Sequence, residues 1–238
     1  MPNEHKIIFD FIHRPNFLKD KKKIMIDIGL YDEKYILPYI FEKWNCHAFE
    51  PIPSQFNKLK KKLGSHVILN NKAVDICSNQ IKEFYSGPTM GTSSLIKFTK
   101  VHKLLCKVNT IRLDDYLKEK NIKNVTYLKI DTEGNDLPIL KSINFNECSP
   151  ILIMSEYENK KSKHLDYTWK DQINFLEKNG YYNITCEYKP IIKYGGKHRF
   201  NKFLINCKKL NYANGWGNII SFKFLNDFKN FCKLYKIK

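Results

Sequence analysis

The sequence predicts an α/β fold: a mostly parallel seven-stranded sheet, helices on both faces and a C-terminal antiparallel hairpin. Three observations lead there. Short β-rich apolar runs alternate with segments whose apolar residues recur at helical spacing. Several of these runs end in an acid followed closely by glycine or proline, as at IDIG, FEPIP and IDTEG. The chain of 238 residues, 42% apolar, suffices for one such domain with small additions. This arrangement is Rossmann-like.

The elements follow in order. Residues 1–22 form an N-terminal extension with no basic-then-apolar leader, so no secretory signal is expected. The run KIMIDI (23–28) is the first strand, and 34–44 is a helix with Ile36, Leu37, Ile40 and Phe41 on one face. A second strand, 46–49, ends at Glu50-Pro51. The next helix extends to Leu63, with Ser54 as its expected N-cap and Gly64 as its stop. Residues 66–70 form the third strand. Extended pieces at 80–85 and 108–112 flank a polar loop, GPTMGTSSL, and a short helix covers 114–120. The alternation then resumes with strands at 125–131 and 150–156 and helices at 135–143 and 169–179. Residues 181–188 and 200–207 form the antiparallel pair. From about Ile219, Phe224, Phe228, Phe231 and Tyr235 fall at helical spacing. The division is therefore extension 1–22, sheet domain 23–210 and packing helix 211–238.

Composition narrows the function. No run approaches eighteen apolar residues, so no transmembrane helix is expected. Seven cysteines at 46, 77, 106, 148, 186, 207 and 232 show no C-x-x-C pairing, which suits reduced thiols in the cytoplasm, or in a host cytoplasm for a viral chain. The net charge of +17 is nearly all lysine, with arginine only at Arg14, Arg112 and Arg199. Precise phosphate readers favour arginine's planar fork, so the composition argues against a nucleic-acid partner. A solvated lysine surface accounts for the charge, and attraction for an anionic substrate or surface is the alternative. No oligomeric state is assigned.

In open parallel sheets ligands bind beyond the carboxyl ends of the strands. Those tips carry Asp27, Glu50, Asp131, Glu133 and Glu156. Gly29 permits close backbone approach. Glu50, twenty-one residues further, stands where an acid accepts the hydroxyls of a ribose. An adenosine cofactor fits both points, whether a nicotinamide dinucleotide or S-adenosylmethionine. The first helix opens with Asp32 and Glu33, which would repel a diphosphate at a helix N-terminus. S-adenosylmethionine carries an ammonium and a sulfonium, so charge favours it.

The ordered series IDIG, FEPIP, NKAV, GTSSL, NTIRLDDYL and LKIDTEGNDLPIL, across 24–158, resembles the FkbM-type methyltransferases. The resemblance implies a Rossmann-like class I methyltransferase fold that uses S-adenosylmethionine. It also implies O-methylation of a sugar, nucleotide-sugar or glycan acceptor, with N-methylation of an amino sugar as the nearest variant. It assigns Asp27 and Gly29 to the methionine end, Glu50 to the ribose, and the turn from Asn71 to Ala73 to the adenine; Tyr31 is a further candidate cofactor contact. One departure stands out: the family usually has a further glycine where this chain has Glu33. At a helix start that side chain is expected to point into solvent.

Methyl transfer to a hydroxyl needs in-line placement and a base for the departing proton. Alternation puts Lys129 and Asp131 on one face, with Glu133 just beyond. Glu133 is the candidate base, and Asp131 shares that role or binds cofactor. Capping of the next helix, or pairing with Lys129, remains the structural alternative. Lys129, Thr92, Ser93, Ser94 and Glu156 are candidate acceptor contacts, and His102 is a less favoured base. Asp114 and Asp115 are expected to cap a helix. Asp131, Glu133 and Glu156 offer oxygen ligands, but no metal is assigned. A nicotinamide-dependent oxidoreductase and a basic nucleic-acid-binding module are the rival classes.

Overall fold

In a computed structural model, residues 4–19, 21–193, 197–205 and 209–237 are described. The chain opens with α1 (Glu4–Ile12) and α2 (Pro15–Leu18), the latter starting on a proline whose missing N–H costs nothing in a first turn. β1 (Ile24–Ile28) follows, then a short α3 (Leu37–Phe41) and β2 (Asn45–Phe49). The predicted helix over 34–44 is regular only in this core, because Pro38 has no N–H to donate. α4 (Pro53–Leu63) begins on Pro53 with Ile52 at the cap, so Ser54 lies inside the helix rather than capping it. Gly64, with φ of 56°, closes it.

β3 (Val67–Asn70) and β4 (Ala73–Val74) are followed by β5 (Ile81–Ser86) and β6 (Lys103–Ile111). Then come α5 (Leu113–Glu119), β7 (Tyr127–Ile130), α6 (Asp136–Lys141), β8 (Leu152–Glu158) and α7 (Asn159–Ser162). α8 (Trp169–Lys178) is fixed at its start by reciprocal hydrogen bonds of Thr168 and Asp171, a capping box. β9 (Tyr182–Tyr188), β10 (Phe200–Ile205), β11 (Trp216–Phe222) and α9 (Leu225–Leu234) complete the chain.

Among the described residues the main sheet has eight strands, not seven, in the order β10-β9-β11-β8-β7-β1-β2-β3. β3, β2, β1, β7 and β8 run parallel, whereas β11, β9 and β10 join antiparallel. The expected C-terminal hairpin is thus a three-stranded antiparallel part, and β11 is inserted between β8 and β9. The segment 211–238 supplies this strand as well as a helix, and Ile219 is the middle of the strand, not a helix start. Cys207, expected in the last strand, lies outside the described residues. The middle pieces form a second sheet, β4-β6-β5, beside the tips of the first.

Both faces of the main sheet are covered. Met25 packs into one apolar core and Ile26 and Ile28 into another, so β1 reads as a continuous apolar run. The N-terminal segment joins the first of these cores: Phe11 packs against Phe222 and Phe231, edge to face at 5.9 and 5.1 Å between centroids. The chain builds β1, β2 and β3 outward on one side and then returns to place β7 on the other. The crevice at the carboxyl ends of β1 and β7 is therefore the topological switch point, where such sheets bind ligands.

Candidate active site

β1 and β7 end side by side, with Asp27 in register with Lys129 and the Asp131 amide donating to Ile28 O at 3.0 Å. Gly29 follows with φ of +88°, and a Cβ there would collide with the Asp131 carbonyl. Its glycine identity is therefore demanded by the neighbouring strand end, before any ligand is considered. Two turns with left-handed residues face each other across this point. Tyr31 has φ of 47° and Glu133 has φ of 59°, the latter followed by Gly134 at 106°. Non-glycine residues held in that region cluster at functional sites.

Between the turns lies a cavity of about 140 Å³ that opens to solvent. Gly29, Tyr31, Glu50, Ala73, Lys129 and Asp131 border it, as do Glu133 and Ser93. Phe49, Ile52, Val74, Phe84 and Leu95 give it an apolar wall on the side of the second sheet.

Glu50 is buried at 3% exposure, with one carboxylate oxygen accepting from the Ile52 amide at 2.7 Å and the other from the Tyr31 amide at 3.2 Å. Burial raises its pKa to about 7, against the lowering effect of these two amides. The carboxylate is therefore held in one orientation with lone pairs to spare.

Asp27 is fully buried behind the pocket. Lys129 Nζ donates to its Oδ1 at 3.0 Å and lies 3.6 Å from Asp131 Oδ2. Burial opposes the lysine's charge, but Asp27 and Asp131 overcome this and hold its pKa above the usual range. Burial likewise raises the Asp27 carboxyl, with Lys129 acting against it. Lys129 thus sets a positive charge beside Asp131 on the pocket wall, which also carries Lys72 and the acids Asp32, Glu50 and Glu133.

Glu133 reaches a second cluster. The ammonium of Lys161, a fully buried residue at the end of α7, pairs with Glu133, with Glu156 at 3.3 Å and with Glu158 at 2.8 Å. Burial raises Glu133 to about 7, with the Lys161 charge opposing and Asp131 reinforcing the rise. Asp136, buried beside them, rises to about 8 for the same leading reason. Asp131, Glu133 and Glu156 also bring ligand oxygens within 4.8 Å of one another. Lys161 gives this group a positive charge of the chain's own.

The remaining predicted residues lie off the pocket. Asn71 Nδ2 donates to the Glu50 and Pro51 carbonyls at 2.9 and 3.0 Å, so it fixes the turn that carries Glu50. Thr92 Oγ1 donates to Thr89 O at 2.8 Å, and Ser94 Oγ donates to Glu133 O at 3.0 Å. Ser94 thereby ties the polar loop to the Glu133 turn, and Ser93 is the hydroxyl of the three that borders the pocket. Glu156 is buried against Lys161, and His102 is buried with Nδ1 2.6 Å from Thr99 Oγ1. Asp114 pairs bidentately with Arg112 and also accepts from the Asp115 amide at 2.9 Å in the first turn of α5, Asp115 bonds Ser78, and Arg112 holds the N-cap position. Glu33 pairs with Lys62, whose hydrogen bond lowers its pKa, and it does not border the pocket.

Sequence reasoning missed three contributors. Lys161 is indistinguishable by pattern from the solvated lysines around it. Tyr35 borders the mouth beside Asp32, and His5 of α1 stacks on Tyr35 at 3.7 Å between centroids. Burial, then the Lys129 charge, lowers His5 to about 3, which keeps this imidazole neutral. A tyrosine and a histidine so far apart in sequence leave no spacing signal.

Among the described residues an eight-stranded, mostly parallel α/β sheet with a cavity at its switch point defines a Rossmann-like fold. The Methyltransferase FkbM domain matches residues 27–182, and the chain belongs to this methyltransferase family. A solved methyltransferase domain, that of bacterial CtHen1-CN, is 10% identical and covers 92% of this chain and 97% of its own, with a TM-score of 0.42. No curated protein matches the sequence.

Proposed function

We propose that the protein is an S-adenosylmethionine-dependent O-methyltransferase acting on a hydroxyl of a sugar, nucleotide sugar or glycan. The observation that carries this reading is Glu50: a buried carboxylate, oriented by two backbone amides, inside a pocket whose opposite end is ringed by Asp32, Asp131 and Glu133. A diol accepted by Glu50 and a cationic group among the other acids describe adenosine joined to a methionine sulfonium. When bound, that group supplies an electrophilic methyl.

The chain's residues would do the rest. Glu50 accepts the ribose hydroxyls, and Phe49, Ile52, Val74 and Phe84 exclude water around the base. Asp131 faces the ammonium end, with Lys129 and Asp27 holding it in place. Glu133 takes the acceptor's proton; its pKa of about 7 matches a base operating near neutrality. Lys161 fixes the orientation of Glu133, and Ser93 lies within the same pocket for contact with the acceptor. The sugar class rests on the family resemblance. A pyrophosphate finds no cradle here: α3 starts at Leu37, eight residues after Gly29, and Asp32 stands between. Six free cysteines among the described residues support the cytoplasmic setting, and no helix among those residues is long and apolar enough to cross a membrane.

The test is release of S-adenosylhomocysteine from S-adenosylmethionine in the presence of a panel of sugars and nucleotide sugars. Glu133→Gln should lower turnover by about 10²–10⁴-fold, far more than it weakens cofactor binding, because Asp32 and Asp131 remain at the cationic end. Unchanged turnover in that variant would remove Glu133 as the base, and turnover confined to amine acceptors would refute O-methylation.

A further inference from the structure

The thirty residues 84–113 contain no aspartate or glutamate, although Glu83 and Asp114 flank them. They include Gly91, Ser93 and Leu95 on the pocket wall, and then run through an exposed turn into β6. Lys97, Lys100 and Lys103 are exposed along this stretch. Between and beyond them Val101 is 61% exposed, Leu104 55% and Leu105 38%.

The two adjacent leucines have a structural cause. Tyr85 pairs with Leu104 and Phe84 with Cys106, so Leu105 is an extra residue on β6, a bulge. A regular strand would have turned one of the pair toward Phe84 and Val108, the small core under this sheet. The bulge instead leaves both outside, next to Lys103. Lys107 stands opposite Glu83 and is left out of the patch.

We propose that this lip, Lys97 to Leu105, docks the protein on an anionic lipid surface, with Val101, Leu104 and Leu105 entering the headgroup region and the three lysines meeting acidic headgroups. Charge complementarity selects the acidic surface. The exposed aliphatics select lipid over nucleic acid, because the patch offers neither an exposed aromatic for base stacking nor an arginine fork. Lysine stems also cover apolar surface while their heads stay hydrated. The docked lip would hold the pocket mouth against the membrane plane, so a lipid-borne acceptor could enter sideways. The docking stands on exposure and charge and does not rest on the methyl-transfer reading.

Co-sedimentation with vesicles tests it. The full chain is mixed with phosphatidylcholine vesicles, with or without about 30% phosphatidylserine, at about 0.15 M salt. Binding is expected only with phosphatidylserine. The triple change Lys97→Ala, Lys100→Ala, Lys103→Ala should weaken partitioning about a hundredfold, at roughly fivefold per lysine. The triple change Val101→Ser, Leu104→Ser, Leu105→Ser should weaken it at least about tenfold. Wild-type melting temperatures in both variants exclude unfolding as the cause. No sedimentation of the wild type overturns the proposal. So does unchanged binding in the serine variant, which would make the lip an unselective polyanion patch.

Discussion

If Glu50 binds a ribose diol, ligand affinity must follow the charge of that one carboxylate. In the free protein burial raises its pKa to about 7, well above the ordinary glutamate value. Two hydroxyls donating to a carboxylate favour the ionised form, so binding must expel the proton where one is held. Affinity for S-adenosylhomocysteine should therefore be flat above pH 8 and fall about tenfold per unit below 7. At pH 5.5 only about one molecule in thirty has Glu50 ionised, so affinity drops about thirtyfold, or ~2 kcal/mol. Titration calorimetry in buffers of differing ionisation heat measures both quantities: the constant, and release of close to one proton at pH 6. Glu133 and Asp136 also titrate in this window, so Glu50→Gln is the control. It should bind weakly and lose the slope. A flat profile in the wild type, or an unchanged slope in Glu50→Gln, would refute the assignment of Glu50 to the ribose.

Other consequences follow from the same charges. Lys161→Met leaves Glu133, Glu156 and Glu158 without their shared ammonium and should cost about 3–5 kcal/mol near pH 8, lowering the melting temperature by roughly 10 °C. The loss should shrink at pH 5.5, where protons replace the lysine; a pH-independent loss would contradict the charge argument. Glu50, Glu133 and Asp136 all have raised values in the folded chain, so the native state holds protons that the unfolded chain has released. Stability conferred by these groups is complete below about pH 4.5 and is lost as pH rises through 7 to 8. Thermal melts should accordingly fall by at least about 5 °C between pH 5.5 and 8.5, and a rise would reverse the sign of the account. Glu33→Gly should change S-adenosylhomocysteine affinity by less than about twofold, because Glu33 is tied to Lys62 away from the pocket. A tenfold change would place it in the site.

The strand tips were legible because a buried parallel strand leaves a plain trace. Its apolar run stops at the first residue that must face the crevice, as at Glu50 and Asp131; Asp27, one residue short of the end of β1, is instead buried against Lys129. β11 was not legible. Its WGNIISF sets glycine and asparagine in the second and third places after a polar stretch, and the helical spacing of Phe224, Phe228 and Phe231 drew the boundary too early. Gly217 illustrates the difficulty: a Cβ there would collide with the Cys186 carbonyl of β9, a demand that exists only once β9 lies alongside. Gly29 carried a true signal for a different reason, since the Asp131 carbonyl sets it. In the site, the carboxylates announced themselves but their counter-ion did not. Lys161 sits in ENKKSKH, where burial alone separates it from its neighbours, and burial is a property of the fold. Ser94 suits an acceptor by its place in a polar, glycine-bearing loop, and Asn71 an adenine by the family resemblance alone. In the structure their hydrogen bonds go to the backbone that holds Glu133 and Glu50.

Calorimetric titration with S-adenosylhomocysteine, with NAD as the control ligand and Glu50→Ala as the variant, tests the central claim most directly. The account predicts micromolar binding to wild type, weakened at least about tenfold in Glu50→Ala, and no measurable heat with NAD. An absence of S-adenosylhomocysteine binding, or tighter binding of NAD, would contradict it.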